Sequence, residues 1–237
     1  MMRSDIAGIN KEIRGSTPGE MLSILAERYP GKVAFSTSLG AEDQLLTQMI
    51  AELGLPIKIF TLDTGRLFQE TCDLFDITRK KYGIPIEVYF PDSHNVEKMV
   101  NEKGINLFYE SLENRKLCCH IRKVEPLARA LAGMDVWISG LRHEQSQSRA
   151  RLETVEWDEI HKIRKVYPLL NWTRNEVWEY IRSHEVPYNT LHDKGYASIG
   201  CLPCTRAILP GEEERAGRWW WEQSDSRECG LHETTRT

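Results

Sequence analysis

The sequence lacks a long apolar run. Its opening stretch, MMRSDIAGINKEIRG, contains no hydrophobic segment of signal-peptide length. No later segment stays apolar over the roughly 20 residues that a membrane-spanning helix needs. We therefore expect a cytoplasmic protein that has no membrane partner.

An excess of basic residues is also missing. The 237-residue chain carries 31 Lys and Arg against 35 Asp and Glu, which gives a net charge of −4. This balance argues against a nucleic-acid partner, because nucleic acids select strongly positive surfaces. A small anionic ligand remains compatible with it, since a few local Arg and Lys side chains are enough to hold one.

Two common nucleotide-binding motifs, GxxxxGK[ST] and GxGxxG, are absent from the turn after the first predicted strand. That turn reads STSLGAED, at Ser36–Asp43. Its small hydroxyl residues and glycine, placed before a helix N-terminus, would present backbone N–H groups to an anion. An ordinary strand-to-helix turn explains the stretch equally well. The sequence LDTG at Leu62–Gly65, after the next strand, is a helix-capping turn more often than a functional element.

The composition and the segment order predict one α/β domain over residues 1–237. Hydrophobic residues make up 41% and charged residues 28%, as in soluble globular proteins. Helical stretches alternate with β-rich runs, which are Lys32–Ser36, Ile57–Leu62, Ile86–Phe90 and Val136–Gly140. This alternation predicts a doubly wound, mostly parallel sheet that binds ligands at the carboxyl ends of its strands.

Three helices follow from apolar periodicity: Ala41–Leu53, about Leu67–Tyr82, and Thr173–Ser183. In the third, Thr173 and Glu176 are spaced as a capping box. After Pro187 the periodicity fades, which predicts a loop-rich C-terminal tail.

The six cysteines are unevenly placed. Cys118 and Cys119 are adjacent, and Cys201 and Cys204 form the motif CLPC. Clustered cysteines in a reducing compartment serve metal binding or catalysis more often than disulfides. Four thiolates suit zinc or a [4Fe–4S] cluster, and the diverging directions of adjacent thiolates favour the cluster. Chance pairs in a core are the alternative, but the polar and basic neighbours of both pairs argue against it.

The other two cysteines invite different interpretations. Cys72 lies in an apparent amphipathic helix beside apolar residues, so we expect it to pack in the core. Cys229 lies near the C-terminus in RECGLH, where Arg227 and His232 would favour a thiolate. The local sequence is equally consistent with Cys229 being an incidental cysteine that has no function.

Basic residues accompany these features. They follow the first cysteine pair, follow the fourth strand, or precede three consecutive tryptophans: Arg122, Lys123, Arg142, Arg149, Arg151, Arg215 and Arg218. Solvated surface charge is the ordinary explanation of each. Arginine, however, also makes strong bidentate contacts to phosphate and sulfate.

Together these segments resemble the assimilatory sulfonucleotide reductases, specifically the iron–sulfur adenylyl-sulfate reductases. The matching stretches occur in the family's order between about residues 35 and 232. They are FSTSLGAEDQLL, LDTGRLFQET, LCCHIRKVEPLARAL, SGLRHEQSQSRA, YPLLNWTRNEVWEYI, PYNTLHDKGYASIGCLPCTR, AGRWWWE and ECGLH.

The resemblance implies a fold related to PP-loop adenine-nucleotide enzymes and one [4Fe–4S] cluster per chain. The cluster ligands would be Cys118, Cys119, Cys201 and Cys204. Cys229 would be the catalytic nucleophile, on a mobile C-terminal segment at about residues 207–237. The implied substrate-binding residues are Ser36, Thr37, Ser38, Gly40, Leu62, Arg122, Lys123, Arg142, Arg149, Arg215 and Arg218.

The implied reaction reduces adenylyl sulfate to sulfite and AMP in sulfate assimilation. An S-sulfocysteine at Cys229 would be resolved by reduced thioredoxin or a glutaredoxin-like dithiol protein, and the chain is a possible homo-oligomer. A 3′-phosphoadenylyl sulfate reductase, or one that takes both substrates, is the first alternative. The paired cysteines favour adenylyl sulfate. A non-catalytic iron–sulfur sensor is the second alternative. A tRNA-thiolating enzyme would need an SGGxDS loop and a basic surface, which are absent.

Overall fold

A computed structural model of the chain describes residues 5–222, in which a six-stranded sheet is covered by helices. The strands are β1 Val33–Ser36, β2 Lys58–Leu62, β3 Glu87–Tyr89, β4 Val136–Ile138, β5 Val155–Asp158 and β6 Ile163–Val166. The α-helices are α1 Ile6–Glu12, α2 Pro18–Arg28, α3 Ala41–Glu52, α4 Gln69–Tyr82, α5 Ser93–Lys103, α6 Leu112–Cys119, α7 Glu125–Leu131 and α8 Arg174–Ser183. A π-helical turn, His120–Val124, joins α6 to α7.

The strand order is β3-β2-β1-β4-β6-β5. All neighbouring strands are parallel except β5 and β6, which form an antiparallel pair. The predicted doubly wound, mostly parallel sheet is therefore confirmed. The chain order reverses between β1 and β4, and in such sheets the reversal point opens a crevice at the carboxyl edge.

Alternate residues of β1 supply two separate cores. Val33 and Phe35 pack with residues of α2, α3 and α8 in one apolar cluster. Ala34 packs in another, with Phe60 of β2 and Leu127 of α7. Because successive strand side chains point to opposite faces, these contacts place helices on both faces of the sheet. They leave its carboxyl edge open.

The four predicted strands and three predicted helices are present, with ends shifted by a few residues. The capping box of α8 is formed: Thr173 N–H donates to Glu176 Oε2 at 2.7 Å, and Glu176 N–H donates to Thr173 Oγ1 at 3.2 Å. The sequence predictions did not include the β5–β6 hairpin or the helices α1 and α2, and they gave no bounds for the helices between β3 and β4. Within residues 5–222, no helix is both long enough and apolar enough to span a bilayer.

Candidate functional site

A cavity lies at the carboxyl edge of the sheet, where β1, β2 and β4 end. Most of the predicted substrate-binding residues line it: Ser36, Thr37, Ser38, Gly40, Leu62, Lys123, Arg149, Arg215 and Arg218. They come from the end of β1 and the turn after it, the end of β2, the π-helical turn, the segment between β4 and β5, and the chain after α8. The fold thus collects at one edge residues that are far apart in sequence.

The turn after β1 is held by a carboxylate from the first turn of α3. Asp43 Oδ2 accepts hydrogen bonds from the backbone N–H and the hydroxyl of Ser38, both at 2.7 Å. Leu39 adopts a left-handed φ of 60°, and its N–H donates to Thr37 Oγ1 at 3.0 Å. Burial raises the pKa of Asp43 to about 6. The turn is therefore a shaped loop whose conformation depends on this buried acid.

The N-terminus of α3 faces the same cavity. Its N-cap residue is Gly40, which offers no side chain to cap the first-turn N–H groups. Such open N–H groups, together with the helix dipole, favour an anion. The arrangement supplies backbone donors where the sequence predicts phosphate binding.

Arg218 is one of two buried arginines that line the cavity, with 6% of its surface exposed. Its guanidinium lies over the ring of Trp219, 4.8 Å from the centroid, and donates to the carbonyl of Ile199 at 3.2 Å. An added Cβ at Gly200 would overlap this guanidinium. Gly200 therefore leaves the space that Arg218 occupies.

Two predicted cations point elsewhere. Arg142 is 1% exposed and pairs with Glu42 at 2.7 Å and with Glu214 at 3.1 Å. Arg122 is buried and donates to the carbonyl of Thr64 at 2.6 Å. Arg142 thus contacts carboxylates of α3 and the C-terminal chain, and Arg122 lies against the cysteines.

A second, smaller cavity adjoins the first and is lined by all four predicted cluster cysteines. Cys119, Cys201 and Cys204 are buried and Cys118 is partly buried. Lys123 and Cys201 line both cavities, so the two are contiguous. The five cysteines that the structure describes are all free thiols.

The four thiols influence one another electrostatically. Burial raises the pKa of Cys118, and it raises that of Cys204 to about 12, with Cys201 as a further cause in both cases. Burial also opposes ionisation of Cys201, but Lys123, a hydrogen bond from Thr64 and two arginines outweigh it and lower the pKa. Thr64 Oγ1 lies 3.3 Å from Cys201 Sγ. Of these three cysteines, Cys201, which lines both cavities, is therefore the one whose pKa is lowered.

The helix-like stretch HIRKVEPLARA after the first cysteine pair predicts a helix start at that pair, but the pair lies at the end of a helix. Helix α6 begins after the N-cap Ser111, which accepts a hydrogen bond from Asn114 N–H at 3.1 Å, and it ends at Cys119. The π-helical turn follows directly. Such turns often occur at functional sites because they redirect side chains. Here the turn carries Arg122 and Lys123 towards the two cavities.

Cys72 is exposed, so the expectation of core packing was wrong. The buried face of α4 consists of Thr71, Leu74 and Thr78. Cys72 lies one position beyond Thr71, which is about 100° around the helix. Two of the apolar neighbours that suggested a core face are themselves only partly buried or exposed, Phe75 and Ile77.

The predicted nucleophile Cys229 lies outside the described residues, as do Arg227 and His232. The described part of the predicted C-terminal segment, 207–222, is anchored. Trp219 is fully buried, and its backbone N–H donates to the carbonyl of Cys204 at 3.1 Å.

No group of three or more His, Cys, Asp or Glu side chains within residues 5–222 is arranged to hold one metal ion. All four predicted cluster cysteines nevertheless line the same small cavity.

Several cavity residues escaped the sequence analysis. They include Trp137, Ser139 and Gly140 of the β4 edge, and His192, Ser198, Ile199 and Gly200 before the CLPC motif. Ligands of such sheets bind beyond the carboxyl ends of the strands, so the residues at the end of β4 could have been predicted. No local pattern marks the second group, whose position depends on the fold.

Comparison with known proteins agrees with this geometry. The phosphoadenosine phosphosulfate reductase domain matches residues 32–207, which include the turn after β1 and both cysteine pairs. The chain belongs to the phosphoadenosine phosphosulfate reductase family. The match to the reductase domain ends before Arg215 and Arg218. The assignment of these two cations to the cavity therefore depends on the geometry described above.

Individual members of the reductase family are similar over most of their length. The adenosine 5′-phosphosulfate reductase of Burkholderia cepacia is 54% identical over 217 residues, which are 92% of this chain and 86% of the relative. The structure of the phosphoadenylyl-sulfate reductase of Candida auris, in a phosphate complex, has a TM-score of 0.72 and 29% identity. That similarity covers 86% of this chain and 96% of the other.

A more distant structure shares the fold alone. The FMN adenylyltransferase of Candida glabrata has a TM-score of 0.57 at 15% identity, over 94% of this chain and 77% of the other.

Proposed function

We propose that this chain reduces adenylyl sulfate to sulfite and AMP in sulfate assimilation. The observation that carries the proposal is the contiguity of the two cavities, since Lys123 and Cys201 line both. One cavity has the loop and cations suited to a nucleotide, and the other has the four thiols. Relatives named adenosine 5′-phosphosulfate reductase support the same substrate.

The nucleotide phosphate would lie against the turn Ser36–Gly40 and the N-terminus of α3. Lys123, Arg149, Arg215 and Arg218 line the rest of the cavity. Their charges would offset the repulsion between the sulfonate and an attacking thiolate, and would stabilise the phosphate as it leaves. Arg122 and Arg142 would lie further from the nucleotide than these four cations. Arg122 donates a hydrogen bond to the Thr64 carbonyl, and Arg142 pairs with glutamates.

The donor set fits a [4Fe–4S] cluster held by Cys118, Cys119, Cys201 and Cys204. Four free thiols line one small buried cavity, and Arg66, Arg115, Arg122 and Lys123 line it as well. These cations would balance the negative charge of four thiolates. When bound, such a cluster would supply a fixed local charge beside the nucleotide cavity, while the electrons of the reaction come from a dithiol.

Cys229 would act as the nucleophile. Its thiolate attacks the sulfonate sulfur, the bond from that sulfur to the phosphate oxygen breaks, and AMP leaves with the electron pair. The product on the protein is an S-sulfocysteine. A thiolate of a reduced dithiol protein then attacks Cys229 Sγ and expels sulfite. Its second thiol resolves the mixed disulfide, so the partner is oxidised by two electrons and Cys229 returns to a thiol.

The reductant is proposed to be thioredoxin or a glutaredoxin-like protein. Such a partner and free cysteines both fit a reducing compartment, so we place the enzyme in the cytoplasm. We treat residues 1–237 as one reductase domain. Homo-oligomer formation remains a prediction.

Adenylyl sulfate is favoured over its 3′-phosphorylated form by the complete cysteine set and by the names of the relatives at 54% and 53% identity. The Candida auris enzyme, whose title names phosphoadenylyl sulfate, is 29% identical. An enzyme that accepts both substrates is the alternative.

A steady-state comparison of the two sulfonucleotides, with reduced thioredoxin and sulfite as the measured product, tests the substrate. We expect kcat/KM to be higher for adenylyl sulfate, and no sulfite from the Cys229→Ser variant. A preference for the 3′-phosphorylated form would reject the substrate assignment. Sulfite production by Cys229→Ser would reject the mechanism and favour a different nucleophile.

Iron analysis of anaerobically purified protein tests the cofactor. We expect about four irons per chain, and loss of iron when Cys201 or Cys204 is changed to serine. Cys72→Ser is the matched control, because Cys72 is exposed on α4. One zinc ion and no iron would reject the cluster.

A further inference from the structure

Trp137 of β4 reaches across to the last residue of β1, Ser36. The two strands are parallel neighbours, with Trp137 opposite Ala34. The indole Nε1–H of Trp137 donates a hydrogen bond to Ser36 Oγ at 2.8 Å. The indole is 1% exposed, whereas Ser36 is partly buried and both residues line the nucleotide cavity.

This contact fixes the role of the Ser36 hydroxyl. An indole N–H is a donor only, so the serine oxygen must accept from Trp137. The hydroxyl hydrogen then has to point away from the indole. Among residues 5–222 we find no side chain or carbonyl that accepts this hydrogen, and the space beside Ser36 is the cavity.

The indole is itself held from behind. Lys165 Nζ lies 4.5 Å from the centroid of the Trp137 ring, and it pairs with Asp158 at 2.6 Å. The ring edge of His161 contacts Trp137 at 5.8 Å between centroids, and its Nδ1 lies 3.0 Å from Asp158 Oδ1. These buried groups limit rotation of the indole, so its N–H stays directed at Ser36.

We infer that Trp137 is a positioning residue that presets Ser36 as a hydrogen-bond donor to an anionic oxygen of the bound nucleotide. The inference rests on the proposed function, because it takes the cavity as the nucleotide site. A serine hydroxyl otherwise rotates among three orientations, and excluding the one that faces the indole lowers the entropy loss on binding.

A double-mutant cycle on AMP affinity tests the inference. AMP is titrated calorimetrically into the full-length protein and into Ser36→Ala, Trp137→Phe and the double variant. Loss of one hydrogen bond to a charged group should weaken binding by Ser36→Ala about tenfold. Trp137→Phe, which keeps a ring but removes the N–H, should weaken it several-fold. The double variant should bind AMP no more weakly than Ser36→Ala alone, because both changes remove the same interaction.

Trp172→Phe is the matched control. Trp172 packs against Tyr180, at 6.0 Å between ring centroids, and is not among the residues that line the cavity. This variant should bind AMP as the unchanged protein does. Unchanged affinity in Trp137→Phe, or effects of Trp137→Phe and Ser36→Ala that multiply, would overturn the inference. Failure of the unchanged protein to bind AMP would instead reject the proposed function.

A second measurement applies if Trp137→Phe does not fold. In protein with ¹⁵N-labelled tryptophan, the indole resonance that Ser36→Ala displaces belongs to Trp137. AMP should shift that resonance in the unchanged protein, because donation by Ser36 strengthens the bond that it accepts. A resonance that AMP leaves in place would overturn the inference.

Discussion

Arg115 and Glu222 form a bidentate ion pair in which both N···O distances are 2.9 Å. The two side chains are 1% and 7% exposed. Arg115 also stacks on Trp219, 4.7 Å from the ring centroid, and its side chain hydrogen-bonds to Cys119. The pair therefore ties the thiol-lined cavity to the last described residue of the chain, seven positions before Cys229.

Breaking this pair should destabilise the protein. Glu222→Gln leaves the Arg115 guanidinium buried without its countercharge, and removing one partner of a buried pair costs about 3–5 kcal/mol. Urea unfolding measures the free energy directly. Glu213→Gln, an exposed change in the same segment, is the control and should be nearly neutral. A loss below about 1 kcal/mol in Glu222→Gln would show that the pair is no stronger than a surface one.

Gly200→Ala should impair substrate binding more than stability. The added Cβ would displace the Arg218 guanidinium from its place beside the cavity. We expect KM for adenylyl sulfate to rise about tenfold, the cost of one charge-assisted contact. Gly19→Ala is the control, because a Cβ there meets only Leu53 at an ordinary 3.4 Å. Unchanged KM in Gly200→Ala would remove Arg218 from the binding site.

Titration of Asp43 should make the free energy of unfolding depend on pH. Burial raises its folded pKa to about 6, whereas an unfolded Asp has a pKa of about 3.9. The folded state therefore binds the proton more tightly. The resulting stabilisation is complete below about pH 4 and is lost as the pH rises through about 6.

Unfolding of Asp43→Asn across this interval provides the measurement. The variant should lack the decline between pH 4 and 6. Asparagine has only one carbonyl oxygen, so its amide N–H₂ would face a backbone N–H, of Ser38 or of Gly140, that now donates to the carboxylate, and AMP affinity should also fall. Asp76→Asn, exposed on α4, is the control. A pH profile for Asp43→Asn that parallels that of the unchanged protein would contradict the raised pKa.

Much of the sheet could be predicted from the sequence because its central strands are short apolar runs followed by helices with clear periodicity. Val33–Ser36 and Ala41–Glu52 illustrate this. The hairpin β5–β6 escaped because Ile163–Val166 is buried along its whole length yet contains Arg164 and Lys165. Its charges are accommodated by partners such as Asp158, which no local pattern reveals.

The residue types of the site could be predicted from the sequence, but the arrangement of these residues in space could be predicted only in part. Spacing along the chain marked the cysteine pairs, and both pairs line one cavity. Two partners of Arg142, Glu42 and Glu214, are 100 and 72 residues away, so these ion pairs could not be inferred from spacing. The hydrogen bond from Trp137 to Ser36 likewise depends on the pairing of β1 with β4.

The proposed mechanism requires Cys229 to take the sulfonate from adenylyl sulfate. Mass spectrometry of the peptide containing Cys229, after incubation with adenylyl sulfate and no reductant, tests this step most directly when AMP is quantified in the same sample. We predict a gain of one SO₃ group on Cys229 and one AMP released per chain modified. Reduced thioredoxin, added afterwards, should remove the group as sulfite. A Cys229 peptide that stays unmodified while AMP is released would rule out Cys229 as the nucleophile.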